Sequence, residues 1–303
     1  MTNRYGNPPR YGIAEVLAPG VRRVLAPNPS PMTLHGTNSY IIGAGQVAVI
    51  DPGPDNADHL NALLAALAPG ERISHILVTH AHLDHSPLAR PLADATGAPV
   101  LAFGDARAGR SALMEKLSAQ GGLEGGEGVD TGFSPDIHLC DGEEINGSGW
   151  CLHALHTPGH FGNHLSFQLD DMIFCGDHVM GWASSLVSPP DGDMGAYMAS
   201  LRRLADTGVK HLHSGHGDPI ADAQSRISDL IAHRQAREEA ILRALRDGPT
   251  DATTLARRIY TDTPPTMMRA AARNVLAHLI DLTERKQVKA QTPLAPSTQF
   301  SLL

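Results

Sequence analysis

The sequence predicts an α/β fold: a four-layer αββα sandwich followed by a small C-terminal unit of winged-helix type. Three observations carry this reading. Two β-rich halves, each flanked by helical segments, run to about residue 220; clusters of histidine and aspartate fall at the ends of expected strands; and from residue 227 the pattern changes to three helices and a short β-like end. Amphipathic sheets and helices of this kind bury their apolar faces in stacked layers. At 303 residues, one large domain over 1–226 and an appendage over 227–303 is the expected organisation.

Taken in order, strands are expected over 21–25, 39–42 and 47–50, the last running into Asp51-Pro52-Gly53-Pro54. Residues 57–67 then place Leu60, Leu63, Leu64 and Leu67 on one helical face, and Pro69-Gly70 stops that helix. A strand over 75–79 delivers the chain into His80. A helix over 87–96 and a strand over 99–103 follow, then a polar, glycine-bearing segment over 104–135 that reads as a flexible insertion. The second half repeats the style, with strands over 150–156, 165–169 and 172–175, a helix over 197–204 and a strand over 211–214. Beyond it, helices are expected over 227–245, 251–260 and 266–285, with Asp251 as a cap, and a β-like end over 288–300.

Composition narrows the function classes. Hydrophobic residues at 42% and charged residues at 18% suit a chain that buries a core rather than a disordered one. The start lacks a charged and then apolar leader, and no stretch approaches the roughly 18 apolar residues of a membrane span. The expectation is a cytoplasmic protein without a membrane partner. Cys140, Cys151 and Cys175 are widely spaced and odd in number, so they are expected to be buried, reduced thiols rather than a disulfide framework. The net charge is −8, and residues 233–303 carry 11 basic and 7 acidic side chains against 13 and 25 in the rest. An acidic body does not by itself attract a polyanion.

The 17 histidines carry the chemistry. In His80-Ala81-His82-Leu83-Asp84-His85 three imidazoles and a carboxylate fall within six positions, a donor set suited to Zn²⁺ and related ions. Further donors stand at similar strand-to-loop junctions: His160 in Thr157-Pro158-Gly159-His160, Asp177 after Gly176, and His216 in Gly215-His216-Gly217. Neighbouring glycines are expected to let the backbone turn beside each donor. His164 stands outside this set, four residues after His160, where it could meet substrate or support a ligand. Cys175 reads as a packed thiol.

In this order the motifs resemble the metallo-β-lactamase superfamily over roughly residues 20–220. That resemblance implies His80, His82 and His160 on one metal, Asp84, His85 and His216 on a second, and Asp177 bridging them. The implied cofactors are two Zn²⁺, with Mn²⁺ or Fe²⁺ as alternatives. Such a pair lowers the pKa of a bridging water and gives a hydroxide nucleophile, and the resemblance gives Asp84 the role of orienting that water and shuttling a proton. Segment 28–40, NPSPMTLHGTNSY, and segment 271–279, AARNVLAHL, together with the C-terminal unit, resemble the beta-lactamase-like protein 2 branch. That branch includes an endoribonuclease acting on single-stranded RNA, and related proteins hydrolyse thioesters; the acidic body makes a thioester or other small acyl substrate the first expectation, with single-stranded RNA as the alternative. A scaffold role is the weaker expectation because all seven donor positions are filled, and DNA binding is weaker because the C-terminal unit is equally able to act as a lid or as a homodimer surface. Specificity is expected in the walls, namely residues 104–135, the loop over 182–186 and the C-terminal unit.

Overall fold

The computed structural model describes residues 10–123, 125–291, 294 and 297–303. The segment read above for a leader lies largely outside these, as does part of the β-like end expected over 288–300. The first sheet has seven strands in sequential order: β1 (Glu15–Ala18), β2 (Val21–Leu25), β3 (Asn38–Ile42), β4 (Gln46–Ile50), β5 (Arg72–Leu77), β6 (Val100–Ala102) and β7 (Ile137–His138). β1 to β4 pair antiparallel and β4 to β7 parallel. Helices α1 (Ala57–Ala65) and α2 (Ala89–Thr96) make the first two of the three parallel crossovers, which two-residue turns cannot.

The second sheet is built from β8 (Glu144–Asn146), β9 (Cys151–His156), β10 (Leu165–Leu169), β11 (Met172–Gly176) and β12 (His211–Ser214), in the order β12-β11-β10-β9-β8. β11 and β12 pair parallel through α4 (Met194–Asp206), which Asp193 caps by accepting from the Ala196 amide. Alternation along the strands separates the layers. Tyr40, Ile42, Ala48 and Ile50 of the first sheet meet Leu152, Ala154, Leu165, Phe167 and Phe174 of the second. On the outer faces, Ile41, Val47, Val49 and Ile76 pack on Leu63 of α1 and Leu92 of α2, while Ile173, Cys175 and Leu212 pack on Tyr197, Leu201 and Leu204 of α4. Each such side chain contributes about 1.5–3 kcal/mol by leaving water, and together they make the αββα sandwich.

Helix α5 (Ala223–Ala244) runs across the expected division after residue 226. Its first half, through Ala223, Ile227 and Leu230, belongs to the outer layer beside α4, whereas Ile241 belongs to the next cluster. That cluster joins α6 (Ala252–Ile259), α7 (Met268–Glu284) and the hairpin β13 (Val288–Ala290) and β14 (Phe300–Leu302). It also takes in Met114 and Leu117 of α3 (Ala112–Gln120), a helix inside the segment expected to be a flexible insertion. Ser111 caps α3, and its apolar face is covered by the C-terminal unit rather than by sequence neighbours. Among the cysteines only Cys175 is buried; Cys151 is half-buried and Cys140 exposed. The expectation of three buried thiols fails at Cys140 because it precedes the Asp141-Gly142 turn outside the core. No helix among the described residues is long and apolar enough to cross a membrane.

Candidate metal centre

Parallel strands deliver their C-terminal ends to one edge of a sheet, where crevices form. β4 and β5 end side by side at Ile50 and Leu77, so Asp51 and the stretch Thr79 to His85 emerge together. β9, β11 and β12 share one direction and release the chain just before His160, Asp177 and His216. Backbone bonds stitch the two sheets at this edge: the Asn38 amide donates to the Gly215 carbonyl at 2.7 Å, and the Leu165 amide to the Thr79 carbonyl at 2.7 Å. The Tyr40 hydroxyl donates to the Ser214 carbonyl at 2.6 Å.

All seven expected donors converge here, in two groups. His80, His82 and His160 form one; Asp84, His85, Asp177 and His216 form the other; within each the donor atoms lie within 4.8 Å of one another. Asp177 is in reach of both, with Oδ2 3.9 Å from His160 Nε2 and 3.3 Å from His216 Nε2. Asp84 Oδ2 lies 3.2 Å from His216 Nε2 and is the more open of the two carboxylates.

The imidazoles are oriented from behind. His85 Nδ1 donates to Asp51 Oδ2 at 2.8 Å, His160 Nδ1 to the Leu186 carbonyl at 2.6 Å, and His216 Nδ1 to the Gly36 carbonyl at 3.1 Å. The Thr79 hydroxyl donates to Asp51 at 2.8 Å and can therefore accept from His80 Nδ1 at 2.9 Å. A donor bond at Nδ1 leaves the Nε2 lone pair free, an arrangement that fixes the tautomer of a metal-ligating histidine. His82 differs, turning its Nδ1 to within 2.8 Å of His80 Nε2 and 3.2 Å of His160 Nε2.

Electrostatics divide the groups. Burial lowers the pKa of His80 and His160, and brings His82 down to about 3, so three neutral imidazoles present lone pairs at neutral pH. Burial also opposes charge on His216, yet Asp177 and Asp84 outweigh it and raise that group to about 10. The same contest leaves His85 well above its ordinary value, through Asp84, Asp177 and Asp51. Burial works against ionised Asp84 and Asp177 too, but the facing His85 and His216 hold both well below the carboxylate range. In the second group the two carboxylates and the two imidazoles thus stabilise each other's charge, and a cation bound between them would take the place of the ring protons. His85 Nε2, His216 Nε2 and Asp177 Oδ1 are buried without a well-aligned hydrogen bond among the described residues, although carboxylate oxygens stand 3.2–3.5 Å away. Buried polar atoms left this way call for a ligand, and imidazole nitrogen with carboxylate oxygen suits Zn²⁺-like ions.

Glycine at 215 is a matter of space rather than of turning: a Cβ there would stand 2.5 Å from Asp177 Oδ1 and 2.6 Å from His85 Cε1, inside the second group. His164 is wholly buried, stacks on His80 with centroids 5.1 Å apart, and bonds the Thr157 hydroxyl at 2.9 Å. It supports a ligand and does not reach the groove. Sequence reasoning missed Asp51, which accepts from the Thr79 amide, the Thr79 hydroxyl and His85; its place at a strand end before Pro-Gly-Pro was the available signal. It missed the Leu186 carbonyl altogether, since a backbone oxygen leaves no mark in a sequence.

The centre opens into a groove whose walls come from all three expected places. Glu127 and Gly128 come from the insertion, Leu186 from the loop after β11, and Thr266, Met267, Arg269 and Arg273 from the C-terminal unit, with Met32 facing them. The insertion is strapped down, the Leu83 amide donating to the Gly128 carbonyl at 2.8 Å and the Asp130 amide to the Ala81 carbonyl at 2.9 Å.

Comparison with known proteins agrees with this geometry. The profile of the Metallo-beta-lactamase superfamily matches residues 32–216, and that of the Beta-lactamase associated winged helix domain matches residues 252–292. An atrochrysone carboxyl ACP thioesterase of Aspergillus fumigatus is 34% identical over 243 residues, covering 77% of this chain and 67% of the relative. A beta-lactamase-like protein 2 homolog of Drosophila melanogaster is 28% identical over 281 residues, covering 90% and 91%. Among solved structures, a metallo-beta-lactamase family protein from Thermus thermophilus superposes with a TM-score of 0.75 at 29% identity, over 95% of this chain and 100% of that one.

Proposed function

The chain belongs to the metallo-beta-lactamase superfamily and is a hydrolase, and we propose that it cleaves a thioester or other small acyl substrate at a centre of two Zn²⁺ ions. The observation that carries this reading is the pair of donor groups with Asp177 in reach of both, opening on a groove walled by Met32, Met180 and Leu186. His80, His82 and His160 would hold one ion, Asp84, His85 and His216 the other, and Asp177 both. Two such ions supply a Lewis acid for the scissile carbonyl and a water acidified towards neutrality.

The chain's own residues do the rest. Asp51, Thr79 and the carbonyls of Gly36 and Leu186 hold four rings in register, so the donors need no rearrangement. Asp84, at the groove floor, takes the proton released by the attacking water and returns it to the leaving sulfur. In balance, water adds across the C–S bond: the carbonyl carbon gains oxygen, the sulfur leaves with a proton, and a carboxylic acid and a thiol depart. Thioester is favoured over phosphodiester by the apolar walls and by the 34% identical relative that carries a thioesterase name.

Elemental analysis paired with a panel of thioesters, lactones and phosphodiesters, single-stranded RNA included, tests this. The expected result is two metals per chain and turnover of thioesters that His82→Ala reduces at least about 100-fold. Cleavage of RNA with thioesters untouched would move the assignment to a nuclease. No turnover anywhere, in protein carrying both metals, would end the catalytic reading.

A further inference from the structure

The groove over the two donor groups divides into unlike arms. One has a volume of about 250 Å³ and is walled by Met32, Met180, Trp182, Leu186, Tyr260 and Met267, with no charged side chain among the described residues that line it. Met32, Met180 and Leu186 also border the donor groups, so this arm opens directly onto the place where a scissile carbonyl must lie. The other arm carries Ser188, Arg269, Arg273 and Glu127. Arg269 pairs with Glu127 across it at 2.5 Å, and Arg273 donates to the Ser188 hydroxyl at 2.8 Å.

We propose that the apolar arm is the acyl-binding subsite, that it takes a medium-length acyl group, and that the C-terminal unit sets acyl selectivity through Met267, Tyr260 and the small Ala270. This rests on the acyl-hydrolase reading above and assigns the two sides of its substrate: acyl group in the apolar arm, polar thiol along the arginine-bearing arm. The arms differ in charge: a carbonyl held where they meet has uncharged side chains on one side and Arg269, Arg273 and Glu127 on the other. At about 250 Å³ the arm lies just below the usual range of small-molecule pockets, roughly 300–1,000 Å³, so the acyl group is bounded in length. Three of its six walls named above are methionines, whose unbranched, polarisable side chains repack around varied apolar shapes; the arm selects for length and apolarity more than for one outline.

The same fold logic explains why this wall exists. Residues 260–274 reach the groove because α7 is pinned to the core: Ala277 packs with Tyr197 and Leu201 of α4, and nine residues of α7 are buried. The third helix of the unit, which in a helix-turn-helix reader lies in the DNA groove, is here an interior element whose first turn faces a small-molecule cleft.

Straight-chain acyl thioesters of N-acetylcysteamine, from acetyl to dodecanoyl, test the assignment on the full-length, metal-loaded enzyme. We expect kcat/KM to rise about fourfold per methylene, the value of a buried CH₂, and then to break where the arm is full. Ala270→Phe narrows the arm and should lower the ratio of long- to short-acyl kcat/KM at least tenfold; Met267→Glu, on the half-buried turn before α7, should do the same by polarity should the first variant misfold. A binding readout needs neither metal nor turnover: decanoate titrated into the metal-free chain should change Trp182 emission saturably, and Trp182→Phe, which leaves Trp150, should abolish that change. Thioester turnover that is indifferent to acyl length and to both variants overturns the subsite and leaves the hydrolase intact. Absence of all thioester turnover overturns the reading of the function, and the decanoate titration then judges the arm by itself: no saturable signal overturns it.

Discussion

Asp51 gathers three donors, the Thr79 amide, the Thr79 hydroxyl and His85 Nδ1, at 2.7–2.8 Å, and through Thr79 it also reaches His80 Nδ1. It therefore governs a ring in each donor group without facing the groove. Asp51→Asn keeps the volume but presents an amide NH₂ where an acceptor is required. The expected outcome is a 10–100-fold loss of metal affinity, read by chelator competition, with the loss evident in both groups. A variant that melts earlier but binds metal as the native chain does would assign Asp51 to packing alone.

At the scale of elements, the loop after β11 is held by the C-terminal unit. Arg234 of α5 is 1% exposed; it donates to the Asn274 side-chain oxygen at 3.1 Å and to the Ser185 carbonyl, and lies 5.0 Å from the Tyr197 ring centroid. The same oxygen of Asn274 accepts from the Val187 amide at 3.0 Å. Between Ser185 and Val187 sits Leu186, whose carbonyl orients His160. Asn274→Ala leaves a buried amide and a buried guanidinium short of an acceptor, which should cost about 1–3 kcal/mol of stability. Because the effect passes through His160, metal affinity of the His80–His82–His160 group should also fall about tenfold, while the other group, whose rings are held by Asp51 and Gly36, keeps its affinity.

For the whole molecule, the two sequence units share one interior. Met114 and Leu117 lie with Leu255, Val275, Leu279 and Phe300 in a single cluster, and α5 belongs to both cores. Calorimetry should therefore give one cooperative transition, and removal of residues 246–303 should yield an aggregating chain rather than a free hydrolase domain; two separated transitions would contradict this. Acid sensitivity is a second property of the whole. Burial lowers His59 and His213 to about 4 and His278 to about 3, from an ordinary 6.5. The unfolded chain thus takes up protons below about pH 6.5 that the folded protein refuses, so this stability is full above that pH and is lost as pH falls towards 4. His213 stacks on Phe174 with centroids 5.0 Å apart, and neither of its nitrogens has a partner among the described residues. His213→Phe should keep the stack and reduce the acid slope of stability by up to about 1.4 kcal/mol per pH unit, measured by urea titration between pH 6.5 and 4; an unaltered slope would exclude His213 as a contributor.

Local chemistry was readable from the chain itself. His80-x-His82-x-Asp84-His85 stands within six positions, the remaining donors each follow an expected strand, and period-two and period-3.6 patterning located most elements of the sandwich. Those signals exist because ligand type and side-chain face are properties of neighbouring residues. Tertiary structure alone decided that the seven donors meet, that Asp51 and a Leu186 carbonyl stand behind them, that α3 folds against a unit more than a hundred residues away, and that Cys140 faces water. A backbone oxygen has no letter of its own, and contacts between distant segments follow no local period, so only the packing of the two sheets and the C-terminal unit could place them.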